Sequence, residues 1–272
     1  MYSLPIIVAF YEQIDVFMLV LVRTVAFFVL MPVISGMNIP MLVRLTVALF
    51  IAAGIFMAGG MTVPVGDPTL GGFFMMVVIE FLAGAMMGYV VFFVFNALLL
   101  AGHIMDFMMG MMMANSVDPL TQIQVPIVGN LFYMVVMALL VVTGGLAMFI
   151  QLFADSFLIL PLGSAFILGN QPIAQMLIVQ MTAFMVLAVR ISMPIMGALM
   201  VINIALGIMV KAAPQMNVFV IGMPLKILIG FILLMTNMVG QLSMIYNWLF
   251  EGALNILIDL IMYMEPVVIE YE

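Results

Sequence analysis

Long apolar runs, broken by short stretches rich in Pro, Gly and Asn/Asp, dominate the pattern of this chain. About 20 residues of helix cross the hydrocarbon core of a bilayer, so each run of about 18 or more is a candidate span. The first extends from Ile14 to Met31 and carries Arg23; Pro32 and Pro40 bracket the turn that follows. A second covers Met41 to Gly60, with Arg44 in its first turn, and Met61 to Gly72 reads as a Pro/Gly/Asp loop. A third, Phe73 to Ala101, includes Gly84-x-x-x-Gly88, a spacing that lets two helices approach closely. The longest polar break, Gly102 to Pro126, precedes a fourth span at Ile127 to Ile150. A further break, Gln151 to Pro172, leads to Ile173–Val210, too long for one simple crossing and carrying Arg190 and Pro194. A kink or break is expected there. Lys211 to Gly222 reads as a turn and Phe219 to Asn247 as the sixth span. The tail from Trp248 to Glu272 mixes apolar residues with Glu251, Asp259, Glu265, Glu270 and Glu272, and its start reads as an interfacial helix. Strand-like alternation is absent, so the predicted fold class is all-α, a polytopic helical membrane protein.

Composition strengthens that reading. Hydrophobic residues make up 68% of the 272 and charged residues 6%, against about 25% in soluble domains. An exterior with so few charges would be one continuous apolar patch in water. Its surroundings are therefore lipid or other apolar helices. The 34 methionines read first as flexible packing residues. Net charge is −7 with five basic residues, so no basic patch exists to neutralise nucleic-acid phosphates. Arg44, Lys211 and Lys226 fall near connections that six spans place on one side, which the positive-inside rule makes cytoplasmic. Met1 to Gln13 carries Glu12 and no basic residue, so it does not read as a cleavable signal peptide. There is no cysteine, which excludes disulfides and thiolate metal sites.

Candidate chemistry is sparse. Arg23, Glu80 and Arg190 are the intramembrane charges, and buried charges in lipid face a protein interior or a water path. Glu80 is expected to pair with an arginine inside a helix bundle; a proton relay is the competing role. His103 and Asp106 share a helical face, but one histidine without cysteine falls short of a metal site. Neither a GxSxG elbow nor a GxxxxGK[ST] loop occurs, so no enzyme and no cofactor is expected. Just before the Asn115, Asp118, Pro119 turn comes the uncharged strip MMGMMMANS. Non-helical backbone at membrane depth is buried in protein or lines a cavity, so this strip could close a pore or be an ordinary connector. A small-molecule secondary transporter or channel using Glu80 and Arg190 is the alternative function.

Two blocks then carry a resemblance. From Ala101 to Gly163, a Gly-rich segment leads into Val117-Asp118-Pro119 and later into Asp155-x-Phe157…Leu160-Pro161. From Ala205 to Phe231 come Leu206-Gly207, Lys211, Ala213-Pro214-Gln215, Asn217-x-Phe219 and Gly222-x-Pro224. With Arg23, Pro32, Ile39-Pro40 and Arg44, these resemble the FliR family of the flagellar and type III secretion export gate, over about residues 14–247. The resemblance implies a FliP-like helical part with a plug loop at 14–170, a FliQ-like hairpin at 171–247 and an acidic tail at 248–272. It implies a non-enzymatic subunit of a hetero-oligomeric gate in the bacterial inner membrane, at the flagellar basal body. The implied partners are FliP-like and FliQ-like subunits, FlhB-like and FlhA-like proteins, membrane lipid and unfolded export substrates. By position the plug falls on Met109, Gly110, Met111, Met112, Met113, Ala114, Asn115 and Ser116, with Asp118 and Pro119 as its anchor. Lys211, Pro214, Gln215, Asn217, Phe219, Gly222 and Pro224 are implied as structural motif positions.

Overall fold

A computed structural model describes residues 13–32, 39–59, 70–112, 126–163, 171–215 and 217–264. No strand occurs among them. The elements are α1 (Ile14–Leu30), α2 (Met41–Ala58), α3 (Leu70–Met109), α4 (Ile127–Thr143), α5 (Gly145–Ile159), α6 (Gln171–Ala212) and α7 (Val218–Asn247). A π-helical turn, Trp248–Ala253, then joins α7 to α8 (Leu254–Met264). The chain forms two compact units, Met1–Phe93 with Gly144–Gln180 and Gly252–Glu272, and Val94–Thr143 with Met181–Glu251. Helices α3 and α6 contribute to both.

In the first unit α1 is the central helix. It packs against α2, whose buried residues are Ala48 and Ala52, one turn apart and small enough to bring the backbones together. Phe17 meets Phe56 edge-on at 5.4 Å across the same pair. The rest of α2 turns large apolar side chains outward, Leu42, Phe50 and Met57 each more than 70% exposed. On another side of α1, Gly84 and Gly88 of α3 sit against the backbone at Arg23 and Phe27. A Cβ at Gly84 would collide with the Arg23 carbonyl oxygen, and one at Gly88 would lie 2.7 Å from the Phe27 carbonyl oxygen. The Gly-x-x-x-Gly spacing thus meets an i, i+4 pair on the opposing helix. Phe27 stacks on Phe153 of α5 at 4.3 Å, with Phe28 and Phe157 edge-on around them. Helix α8 packs on α5 through Leu257, Leu260, Ile261 and Met264, which are buried. It is an amphipathic helix packed on its neighbour, with Met262 and Tyr263 facing outward.

In the second unit, α3 and α4 touch backbone to backbone. A Cβ on Gly102 would collide with the backbone nitrogen and Cα of Gly129. Phe95 and Tyr133 pack 5.7 Å apart along the same two helices. Helix α6 meets α7 at Gly222 on Leu206 and at Gln241, and the π-helical turn at Phe184 on Trp248. The Pro194 ring removes the amide hydrogen that would bond four residues back and crowds the preceding turn. Gln241 Nε2 donates to the Ile191 carbonyl at 3.0 Å in that turn. The helix nonetheless runs unbroken from Gln171 to Ala212, where a break was one expectation.

The fourth predicted span departs further. Gly144, in the left-handed conformation at φ 73°, ends α4 and begins α5, so Ile127–Ile150 is not one straight crossing. Among the described residues, four helices are long and apolar enough to cross a membrane, or five if the bent α4–α5 pair counts as one. Six were expected; α1, at 17 residues, is short of the roughly 20 needed. The third run is longer than its apolar stretch suggested, because α3 continues through Gly102 to Met109.

Candidate functional site

Two arrangements of polar groups organise the interior. The first is centred on Arg23 and Glu80, both fully buried. Arg23 Nε and Nη2 donate to the two Glu80 oxygens, the latter at 3.0 Å, in a bidentate pair. Arg23 Nη1 donates to the Leu160 carbonyl at 3.2 Å, beyond the end of α5, and at 3.5 Å to the Ser156 carbonyl, which also accepts the Leu160 amide at 2.8 Å. Glu80 Oε1 also accepts the amide of Gly163 at 2.7 Å, and Gly163 holds φ 76°. The Phe157 ring lies 4.4 Å from the guanidinium carbon, its face toward the charge. The Phe157…Leu160-Pro161 part of the sequence signature is therefore the segment that closes over this pair; Asp155 takes no part in it. Every guanidinium nitrogen and both carboxylate oxygens have partners, as a charge far from water requires.

Glu80 pairs with an arginine as expected, and the arginine is Arg23. Arg190 is instead exposed on α6. The geometry favours a structural pair over a relay, since Glu80 already has its oxygens committed to fixed donors.

The second arrangement is the base of the Met-rich loop. Asp106, 2% exposed, accepts the Val128 amide with both oxygens, at 3.3 and 3.2 Å. A carboxylate of α3 thus caps the start of α4, where open amides and the helix dipole favour negative charge. His103 Nδ1 donates to the Leu99 carbonyl of its own helix at 2.9 Å. The two residues read as a face-sharing pair therefore serve separate structural ends. Among the described residues no group of three His, Asp or Glu could hold a metal. One turn from Asp106, the Gly102–Gly129 approach closes the same pair of helices. Neither Gly129 nor the capping role of Asp106 stood out in the sequence. A lone glycine and a lone aspartate 23 residues apart form no recognisable motif.

Of the residues assigned to the plug, Met109 is a fully buried member of α3, seated in the space over Gly230 of α7. Gly110 follows at φ 82°, ends the long helix, and donates its amide to the Phe107 carbonyl at 3.1 Å. Met111 and Met112 are helical and half-buried. Met113, Ala114, Asn115, Ser116, Asp118 and Pro119 lie outside the described residues. G110A is expected to cost about 1–2 kcal/mol through left-handed strain alone, as its Cβ would meet nothing nearer than Met223 at 3.9 Å. Equal detergent melting temperatures for G110A and the parent would show that the turn tolerates a side chain.

The second sequence block lies on the α6–α7 hairpin. Lys211, Pro214, Gln215, Asn217 and Pro224 are exposed, Gly222 is buried against Leu206, and the side chain of Phe219 is outside the described residues.

An all-helical chain with an apolar exterior, a buried ion pair in its interior and a buried carboxylate pinning one helix to the next defines a polytopic helical membrane protein. More specifically, it belongs to the family described as Bacterial export proteins, family 1, which matches residues 14–252, from the first residue of α1 into the π-helical turn. It is 30% identical over 223 residues to the flagellar biosynthetic protein FliR of Bacillus subtilis (strain 168), covering 82% of this chain and 85% of that one. Against the flagellar biosynthetic protein FliR of Escherichia coli (strain K12), identity is 29% over 243 residues, covering 89% and 90%. The surface presentation of antigens protein SpaR of Shigella flexneri is 23% identical over 235 residues, covering 83% and 88%.

Proposed function

We propose that this chain is a structural subunit of the flagellar-type, or type III, protein export apparatus in the bacterial inner membrane. The family match over residues 14–252 is the observation that carries the reading. The helices apolar enough to span a membrane agree with that location. The secondary-transporter alternative is not favoured. Glu80 has both oxygens committed to Arg23 and Gly163 rather than held for a substrate, and Arg190 is on the surface of its helix.

In the finer reading, the chain is a non-enzymatic gate subunit with FliP-like and FliQ-like neighbours, and with FlhB-like and FlhA-like proteins at the same gate. Residues 14–170 are its FliP-like part and 171–247 its FliQ-like hairpin. The segment Met109–Ser116 is the plug, with Met109 and Gly110 as its root at the end of α3 and Asp118 and Pro119 as its anchor. Support comes from the flanks of that segment. Asp106 and Gly102 on one side are bound to Val128 and Gly129 on the other, so a loop leaving α3 returns to a fixed point. Flexible, uncharged methionines on such a base can seal against ions without fixed polar contacts and still yield to an unfolded substrate.

The test begins with co-expression with FliP-like and FliQ-like subunits and native mass spectrometry of the detergent-purified product. A mixed complex is expected; a lone monomer would sink the gate reading. In the assembled complex, changing Met111, Met112 and Met113 together to Gly is expected to raise ion leak through reconstituted liposomes by about tenfold, since no apolar bulk remains to exclude water. Unaltered leak would place the seal elsewhere.

A further inference from the structure

Arg190 stands out once the interior has been accounted for. It lies near the middle of the 42-residue α6 and is exposed, with no ion pair or hydrogen bond among the described residues. The hairpin that bears it cannot supply a counter-charge, because neither α6 nor α7 contains an acidic residue. Its surroundings are apolar, Val186, Val189 and Met193 each being at least 40% exposed. Spacings of 3, 7, 11, 14 and 18 residues from Arg190 lead to Met193, Gly197, Val201, Ile204 and Ile208. At 3.6 residues per turn these positions make one straight stripe over about five turns. The four large apolar members are 56–67% exposed, and a Cβ built on Gly197 would meet nothing within 4 Å. The stripe has the build of a helix-packing seam: apolar flanks, a small residue that admits a close backbone, and a single charge at one end.

We infer that this stripe seats an apolar helix of a neighbouring subunit that carries a carboxylate opposite Arg190. This rests on the reading of the chain as one subunit of a multi-subunit membrane assembly. Charge complementarity selects the occupant. A guanidinium within an apolar face is costly against hydrocarbon, and such residues pair with an opposite charge or a backbone carbonyl. Arginine's planar fork suits a carboxylate in bidentate geometry and loses little hydration in doing so. Lipid alone could cover Met193 to Ile208, but it offers the guanidinium no fixed partner.

The experiment compares the parent, R190K, R190E and G197L, each co-expressed with the FliP-like and FliQ-like subunits of the same bacterium. R190E is expected to lower the co-purified partner by about tenfold or more, because it places like charges together in an apolar seam. R190K should stay within about threefold of the parent, retaining charge but not the fork. G197L should cost about fivefold by filling the gap that admits the second helix. The isolated R190E chain should melt with the parent, since no described residue pairs with the guanidinium. A complex that R190E leaves at parental yield overturns the inference, as does an isolated R190E chain destabilised on its own. The absence of cysteine permits a spin label at Met193→Cys in the otherwise unaltered complex. An immobile, oxygen-inaccessible label supports the seam, and lipid-like oxygen collisions overturn it. If the unmodified chain forms no complex, the export-gate reading falls and takes this inference with it. If the parent assembles and R190E does too, only the inference falls.

Discussion

E80Q is expected to destabilise the folded chain by about 3–5 kcal/mol, the range for removing one partner of a buried ion pair. The amide keeps the shape of the side chain and can still accept the Gly163 amide. What it loses is the charge that neutralises Arg23, which has no exposure to water. Against a total stability of roughly 5–15 kcal/mol, that loss should cut membrane abundance severely and lower the detergent melting temperature. An E80Q chain that folds, assembles and exports like the parent would show that the carboxylate charge is dispensable. The double variant R23L/E80L separates two contributions. Buried ion pairs exchanged for apolar residues are often neutral or even stabilising. Here Arg23 also serves the Leu160 carbonyl, and Glu80 serves the Gly163 amide, whereas the Ser156 carbonyl keeps the Leu160 amide in any case. The double variant should therefore recover only part of the loss, leaving a deficit of about 1–3 kcal/mol per unpaired buried group. Full recovery would mean that the end of α5 finds other partners.

G102V should be as damaging by a different route. Its Cβ would fall onto backbone atoms of Gly129, so no side chain can swing aside and α3 and α4 must separate. Overpacking of well-filled interiors typically costs about 1–3 kcal/mol and occasionally more; a backbone collision belongs at the upper end. Separation also withdraws Asp106 from the Val128 amide and orphans a buried carboxylate. G230A is the informative control, because the atoms nearest its Cβ belong to the flexible Met109 side chain rather than to backbone. A melting temperature for G102V well below that of G230A is expected. Equal values would mean that the two helices part without consequence.

Much of this was legible in the sequence, at the level where hydropathy and spacing speak. The helices, their apolar exterior and the close approach at Gly84 and Gly88 follow from run length and one glycine spacing. The pairing of Glu80 with an arginine also followed, since buried charge needs a counter-charge. Which arginine was not legible: Arg23 and Arg190 both lie inside apolar runs, and helices that are apolar all round give no sign of which face is buried. The α4–α5 break had its signal in Gly144-Gly145, hidden inside a run whose mean hydropathy reads as one span. Helix α3 outlasted its apolar run because the residues that end that run, Gly102 and Asp106, are spent on contacts with α4. Pro194 argued for a kink or a break, and the helix is not broken; Gln241, 47 residues further along the chain, donates to the Ile191 carbonyl beside it.

The seat of Met109 has a mechanical consequence. Its side chain is wedged over Gly230 immediately before the turn at Gly110, so the loop is tethered at its root to α7 as well as to α3. A tug on the residues beyond Gly110 is therefore not absorbed by unwinding the end of α3 alone. Such a pull would load the contact between Met109 and α7 as well as the last turn of α3.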